Sequence, residues 1–216
     1  MTGRFKFLIS TTLALSLAFI AHPALARPIQ ILALGTSLTQ GYGLPPGTEF
    51  TTRLQEALRK SGIDANVVNA GVSGDTSADG LSRLDWSLAG HPDAAIVELG
   101  SNDMLRGIAP AETETNLNAI LAKFQKDRIP VLLTGMKAQR NLGPEYVARF
   151  DAIYPRLAKE HHLLFYPFIL AGVALDPKLN QPDGLHPNPA GVKVIVARIL
   201  PLVKKLVAEA AAQKKP

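Results

Sequence analysis

Ile29-Gln30-Ile31-Leu32-Ala33-Leu34-Gly35-Thr36-Ser37-Leu38-Thr39-Gln40-Gly41-Tyr42-Gly43 joins a short, largely apolar run to a hydroxyl-rich turn punctuated by glycine. Ile29 to Leu34 reads as a buried strand, since it is β-branched, apolar and too short for a helix. Working outward, Thr48 to Lys60 carries Phe50, Leu54, Ala57 and Leu58 on one stripe, and Ser61-Gly62 ends it, which predicts an amphipathic helix. Ala65 to Ala70 predicts a second strand, Leu81 to Leu88 a helix and Ala94 to Leu99 a third strand. Glu112 to Lys126 then reads as helix, Pro130 to Thr134 as strand, Glu145 to His161 as a helix kinked at Tyr154-Pro155, and Leu163 to Tyr166 as a fifth strand. Ala171 to Pro187 is a long loop rich in Pro, Asn, Asp and Gly, and Ala190 to Ala212 is a last helix. Strand and helix alternate throughout, which predicts an α/β domain with a parallel sheet covered on both faces. Such sheets bind ligands beyond the carboxyl ends of the strands, so chemistry belongs in the loops there.

The chain has 216 residues, a formal net charge of +5 and no cysteine. The missing cysteine excludes disulfides, thiolate metal sites and a cysteine nucleophile. Arg4 and Lys6, the apolar run Phe7 to Ala21 and the Ala24-Leu25-Ala26 site read as a cleaved signal peptide over residues 1-26. The apolar run is shorter than a spanning helix and His22-Pro23 interrupts it, so no stable membrane anchor is expected after cleavage. Losing Arg4 and Lys6 with no acid lowers the net charge from +5 to +3. That balance, without a basic run interleaved with aromatics, gives no expectation of nucleic acid. Residues 27-216 are expected to form one domain, exported to a bacterial periplasm or medium.

Four loops carry groups that acyl-transfer chemistry needs. Ser37 follows the first strand, Gly71-Val72-Ser73-Gly74-Asp75-Thr76-Ser77 the second, and Gly100-Ser101-Asn102-Asp103 the third. The glycines can aim backbone N–H groups at developing negative charge, and the Asn102 amide can donate into the same cleft. Taken singly, each is also an ordinary turn or cap. In the long late loop, Asp183-Gly184-Leu185-His186-Pro187 sets a carboxylate three residues before an imidazole, a spacing that lets the acid fix the tautomer of the base. His161 and His162 end a helix and His91 precedes a proline in a turn, which leaves His186 as the best base. A hydroxyl, a base, an orienting acid and oxyanion donors are the set nucleophilic catalysis requires.

On these blocks the chain resembles the SGNH, or GDSL-type, hydrolases, and within them the exported thioesterase, lysophospholipase and arylesterase group. Further likeness lies in Val67-Val68-Asn69-Ala70, Val97-Glu98-Leu99-Gly100, Leu105-Arg106-Gly107 and Ile153-Tyr154-Pro155-Arg156-Leu157-Ala158-Lys159-Glu160. The resemblance implies a flavodoxin-like three-layer α/β/α sandwich with five parallel strands ordered 2-1-3-4-5. It implies Ser37 as nucleophile, His186 as base and Asp183 as orienting acid, with an oxyanion hole from the N–H groups of Ser37 and Gly74 and the Asn102 amide. One departure stands out: the family usually has Asp before the nucleophile, and here Thr36 takes its place. That keeps a hydroxyl and loses a charge, so Thr36→Asp is expected to leave activity similar or higher.

The expected function is hydrolysis of small acyl esters or thioesters by a monomer through an acyl-enzyme, with no cofactor and no metal. Asp183 and His186 would supply two ligands, short of the three a catalytic zinc takes. A carbohydrate O-acetylesterase using the same site, and an exported binding protein on a hydrolase scaffold, are the alternatives. Met136 to Tyr146, with Gly143-Pro144 inside it, is expected to border the acyl site.

Overall fold

The structure, a computed structural model, describes residues 27–213, and the expected signal peptide lies outside them. In chain order the elements are β1 (Ile29–Gly35), α1 (Ser37–Gln40), α2 (Phe50–Lys60), β2 (Ala65–Gly71), α3 (Ser77–Ser82), α4 (Leu84–Leu88), β3 (Ala94–Glu98) and α5 (Ser101–Leu105). They continue with α6 (Pro110–Lys126), β4 (Val131–Thr134), a 3-10 turn (Arg140–Leu142), α7 (Pro144–Asp151), α8 (Ile153–Glu160), β5 (Leu164–Tyr166) and α9 (Pro189–Gln213). The five strands form one parallel sheet ordered β2-β1-β3-β4-β5, as the resemblance implies.

Both faces of the central strands are covered, which is why their sequences are near-continuous apolar runs. Every residue of β3 and β4 is buried, as are the last five of β1. Helices α2 and α9 pack on each other and on the sheet, while α3, α6, α7 and α8 form a second contacting group. Asn188 starts α9 by accepting the N–H groups of Ala190 and Gly191, and Pro189 follows at the first turn, where no N–H is needed. Among the described residues no helix is long and apolar enough to cross a membrane.

Three local expectations are corrected. The helix expected over Leu81–Leu88 is two short helices and begins earlier, at Ser77. A capping box between Thr76 and Asp79 starts it, satisfying the free N–H groups of a polar first turn. The break in the helix expected from Glu145 to His161 falls at Ala152 instead of at Tyr154-Pro155. Restarting there places Pro155 in the first turn of α8, where its missing N–H is harmless. Short helices α1 and α5 fill what reads as loop in the sequence.

The strand order fixes where a site can form. The chain leaves β1 to build β2 on one side and then crosses to place β3 on the other. The crevice between the carboxyl ends of β1 and β3 is the switch point where ligands bind in such sheets.

Candidate active site

Gly35 ends β1 and Thr36 leads the chain into the single turn of α1, with Ser37 as its first residue. The strand-to-turn junction is tight: a Cβ on Gly35 would overlap the Thr39 side chain and crowd Glu98. Beneath the turn, Glu98 is 3% exposed, and its carboxylate accepts the Thr36 N–H at 2.9 Å, the Thr36 hydroxyl at 3.0 Å and the Thr39 hydroxyl at 2.9 Å. The hydrogen bonds it receives come from uncharged donors on both sides of Ser37. Burial raises its pKa to about 7, against the opposing pull of those hydrogen bonds.

From the late loop, His186 Nε2 lies 2.8 Å from Ser37 Oγ, and His186 Nδ1 lies 2.6 Å from Asp183 Oδ2. The other Asp183 oxygen accepts the backbone N–H groups of Leu185 at 2.9 Å and His186 at 3.0 Å. Desolvation acts to raise the Asp183 pKa, but the backbone N–H and side chain of His186 and the N–H of Leu185 outweigh it and hold the group at about 2. An ionised Asp183 can only accept. The proton between the pair therefore sits on Nδ1, and Nε2 is left to accept from the Ser37 hydroxyl.

The second and third loops meet beside Ser37. Ser73 is pinned by Gln40, whose Oε1 accepts the Ser73 N–H at 2.9 Å and also its hydroxyl. Gly74 follows at φ 88°, a conformation few other residues adopt, and Arg106 Nη2 donates to its carbonyl at 2.6 Å. Asn102 Nδ2 donates one hydrogen to the Asp75 carbonyl at 2.8 Å, leaving its second available. Arg83 ties the same loop to the strand, reaching the Asp75 carboxylate at 2.6 Å and the Gly35 carbonyl at 3.1 Å. Neither the Ser37 nor the Gly74 N–H has an acceptor among the described residues.

All five residues singled out from the sequence, Ser37, Gly74, Asn102, Asp183 and His186, thus gather at one place. Four of them line a cavity of about 720 Å³, whose walls are mainly apolar and include Leu38, Met104, Met136 and Phe168. Met136 to Asn141 border it as expected, whereas Tyr146 does not line it. His161 and His162 lie elsewhere, on a second cavity of about 740 Å³ at the amino end of the sheet, whose lining offers no serine or threonine hydroxyl.

Sequence reasoning missed three supports. Glu98 stands out as a charge ending an apolar strand, a readable signal. Gln181 Nε2 bridges the Tyr42 carbonyl at 2.8 Å and the Pro187 carbonyl at 3.0 Å, tying the loop after Ser37 to the His186 loop. Tyr42 packs its ring on His186, with centroids 4.8 Å apart. Nothing local in the sequence announces either contact.

A five-stranded parallel sandwich with a serine, an imidazole and a carboxylate joined at its switch point is the build of an SGNH hydrolase. Residues 33–194 match the GDSL-like Lipase/Acylhydrolase family. The esterase TesA of Pseudomonas aeruginosa is 36% identical over 193 residues, which is 89% of this chain and 95% of that protein. Thioesterase 1/protease 1/lysophospholipase L1 of Escherichia coli (strain K12) is 40% identical over 159 residues, 73% of this chain and 75% of that one. Among solved structures, AlinE4, an SGNH-hydrolase family esterase, superposes with a TM-score of 0.72 at 46% identity, covering 84% of this chain and 98% of its own. The chain belongs to the GDSL-like lipase/acylhydrolase family. It is an enzyme of the carboxylic-ester hydrolase class, which sets aside the reading as a binding protein.

Proposed function

We propose that the protein hydrolyses medium-chain acyl esters and thioesters through a covalent acyl-enzyme on Ser37. The observation that supports this reading best is the unbroken hydrogen-bond chain from Asp183 through His186 to Ser37 at the wall of an apolar cavity. Ser37 Oγ attacks the acyl carbonyl while His186 Nε2 takes its proton. The tetrahedral oxyanion accepts from the N–H groups of Ser37 and Gly74 and from the second hydrogen of the Asn102 amide. His186 returns the proton to the departing alcohol or thiol, and the same groups then activate water to release the acid. Asp183 stays ionised throughout, holding the ring in place and stabilising the imidazolium.

No step calls for a metal or an organic cofactor. The cavity size falls in the usual range for small-molecule sites, and its apolar walls suit an alkyl chain better than a sugar. Comparing nitrophenyl acetate with nitrophenyl octanoate and an octanoyl thioester tests the reading: kcat/KM should favour octanoyl over acetyl by at least about tenfold, the worth of a few buried methylenes. Preference for acetyl, or activity confined to acetylated saccharides, would replace it with an O-acetylesterase. Residues 1-26 are read as an export signal, and the exported protein as a monomer starting near Arg27.

A further inference from the structure

Seven large apolar side chains are well exposed among the described residues, and four of them, Tyr42, Leu105, Leu175 and Leu185, line the cavity beside Ser37. They stand at its mouth. Leu175 is the extreme case, 94% exposed and held at φ 67°. Glycine and asparagine are the usual occupants of that backbone region, and a γ-branched leucine there is a steric outlier. Its side chain buries nothing that would compensate, so the fold alone gives no reason for leucine at this point.

The cations Lys137 and Arg140 line the cavity with no carboxylate among the lining residues, and Arg106 adjoins Leu105. The carboxylates nearby are engaged: Asp176, beside Leu175, accepts the Lys178 N–H. Lys137 lies 5.7 Å from the centre of the Phe168 ring and has no ion-pair partner among the described residues. Arg140 shares Asp151 at 3.2 Å, and Asp183 is engaged by His186. Exposed apolar side chains interspersed with cations match the boundary of an anionic bilayer, where the former enter the headgroup region and the latter meet phosphates.

We propose that this rim seats the enzyme on an anionic phospholipid surface, so that acyl substrates enter the cavity from the lipid–water boundary. Its catalytic benefit rests on the acyl-hydrolase reading, but the docking itself needs no turnover. The test uses the chain from Arg27 onward, which contains every described strand, helix and core residue, sedimented with vesicles of phosphatidylcholine alone or mixed with phosphatidylglycerol. The parent is expected to sediment with the mixed vesicles and at least about tenfold less with phosphatidylcholine, with binding weakened by salt as the phosphate contacts are screened. Leu175→Asn should bind about tenfold more weakly, since one leucine leaves the apolar phase. Its melting temperature should hold or rise, because asparagine suits that backbone conformation. Ser37→Ala should sediment like the parent, so a failure of the hydrolytic reading would leave this result standing. A parent that ignores both vesicles, or a Leu175→Asn variant that binds like the parent, overturns the proposal. So does a vesicle-free dimer that Leu175→Asn dissociates while lipid binding stays absent, which would assign the rim to a second copy of the chain.

Discussion

Replacing Glu98 by glutamine keeps the shape of the group beneath Ser37 and removes its charge. In the folded chain burial raises the Glu98 pKa from 4.5 to about 7, so the folded state holds this proton more tightly than the unfolded one. The stabilisation from that proton is complete below pH 4.5, fades as pH climbs, and is gone above about pH 7. The shift corresponds to about 3 kcal/mol at full ionisation. Glutamine has no such titration, and its amide oxygen can still accept from the Thr36 N–H and the Thr39 hydroxyl while its NH2 donates to the Thr36 hydroxyl oxygen. Urea unfolding followed by circular dichroism at pH 5, 6, 7 and 8 reads the difference directly. Relative to the parent, Glu98→Gln should gain stability steadily from pH 5 to 7 and then level off. In melting temperature this is a relative change of about 6–12 °C for a chain of this size. Parallel stability curves for the two proteins across that range would refute the argument that Glu98 is a buried carboxylate without charge compensation.

Three further predictions follow from the same geometry. Thr36→Asp puts a second carboxylate about 3 Å from Glu98 in a closed pocket, and the two must share a proton. The variant should match the parent near pH 6 and lose stability and activity above pH 7, which limits the expectation of similar or higher activity to the acidic side; a pH profile superimposable on the parent's would contradict this. Asn102→Ala should lower kcat by about 100- to 1,000-fold, as loss of a single oxyanion donor does elsewhere, with little change in KM; parental turnover of a nitrophenyl ester would remove Asn102 from the oxyanion site. Ala174→Trp fills the mouth of the cavity from an exposed position, so the octanoyl-to-acetyl ratio of kcat/KM should fall by about tenfold, and an unchanged ratio would place the acyl chain elsewhere.

The sheet was legible because its strands are buried on both faces and therefore stand out as apolar runs between amphipathic stretches. The blocks at Ser37, Gly74, Asn102 and Asp183-to-His186 were legible for a different reason. Each combines residue types needed for one reaction, at the loop where an open α/β sheet would place them. Helix α3 escaped notice because Ser77-Ala78-Asp79-Gly80 is polar and contains glycine, although Thr76 and Asp79 spell a capping box. The Gln181 bridge joins residues 139 apart, and only folding brings such partners together. Glu98 was visible as a charge among apolar neighbours, yet its partners Thr36 and Thr39 arrive from another strand's loop, and with them the reason it is tolerated.

The central claim is that Ser37 is the hydroxyl that attacks the acyl group, driven by the His186–Asp183 pair. Treating the protein with a fluorophosphonate probe and locating the adduct by peptide mass, alongside turnover of Ser37→Ala, tests it most directly. The adduct should sit on Ser37, and the alanine variant should lose at least about 10,000-fold in kcat. An adduct on another residue, or a Ser37→Ala enzyme that turns over at the parental rate, would contradict it.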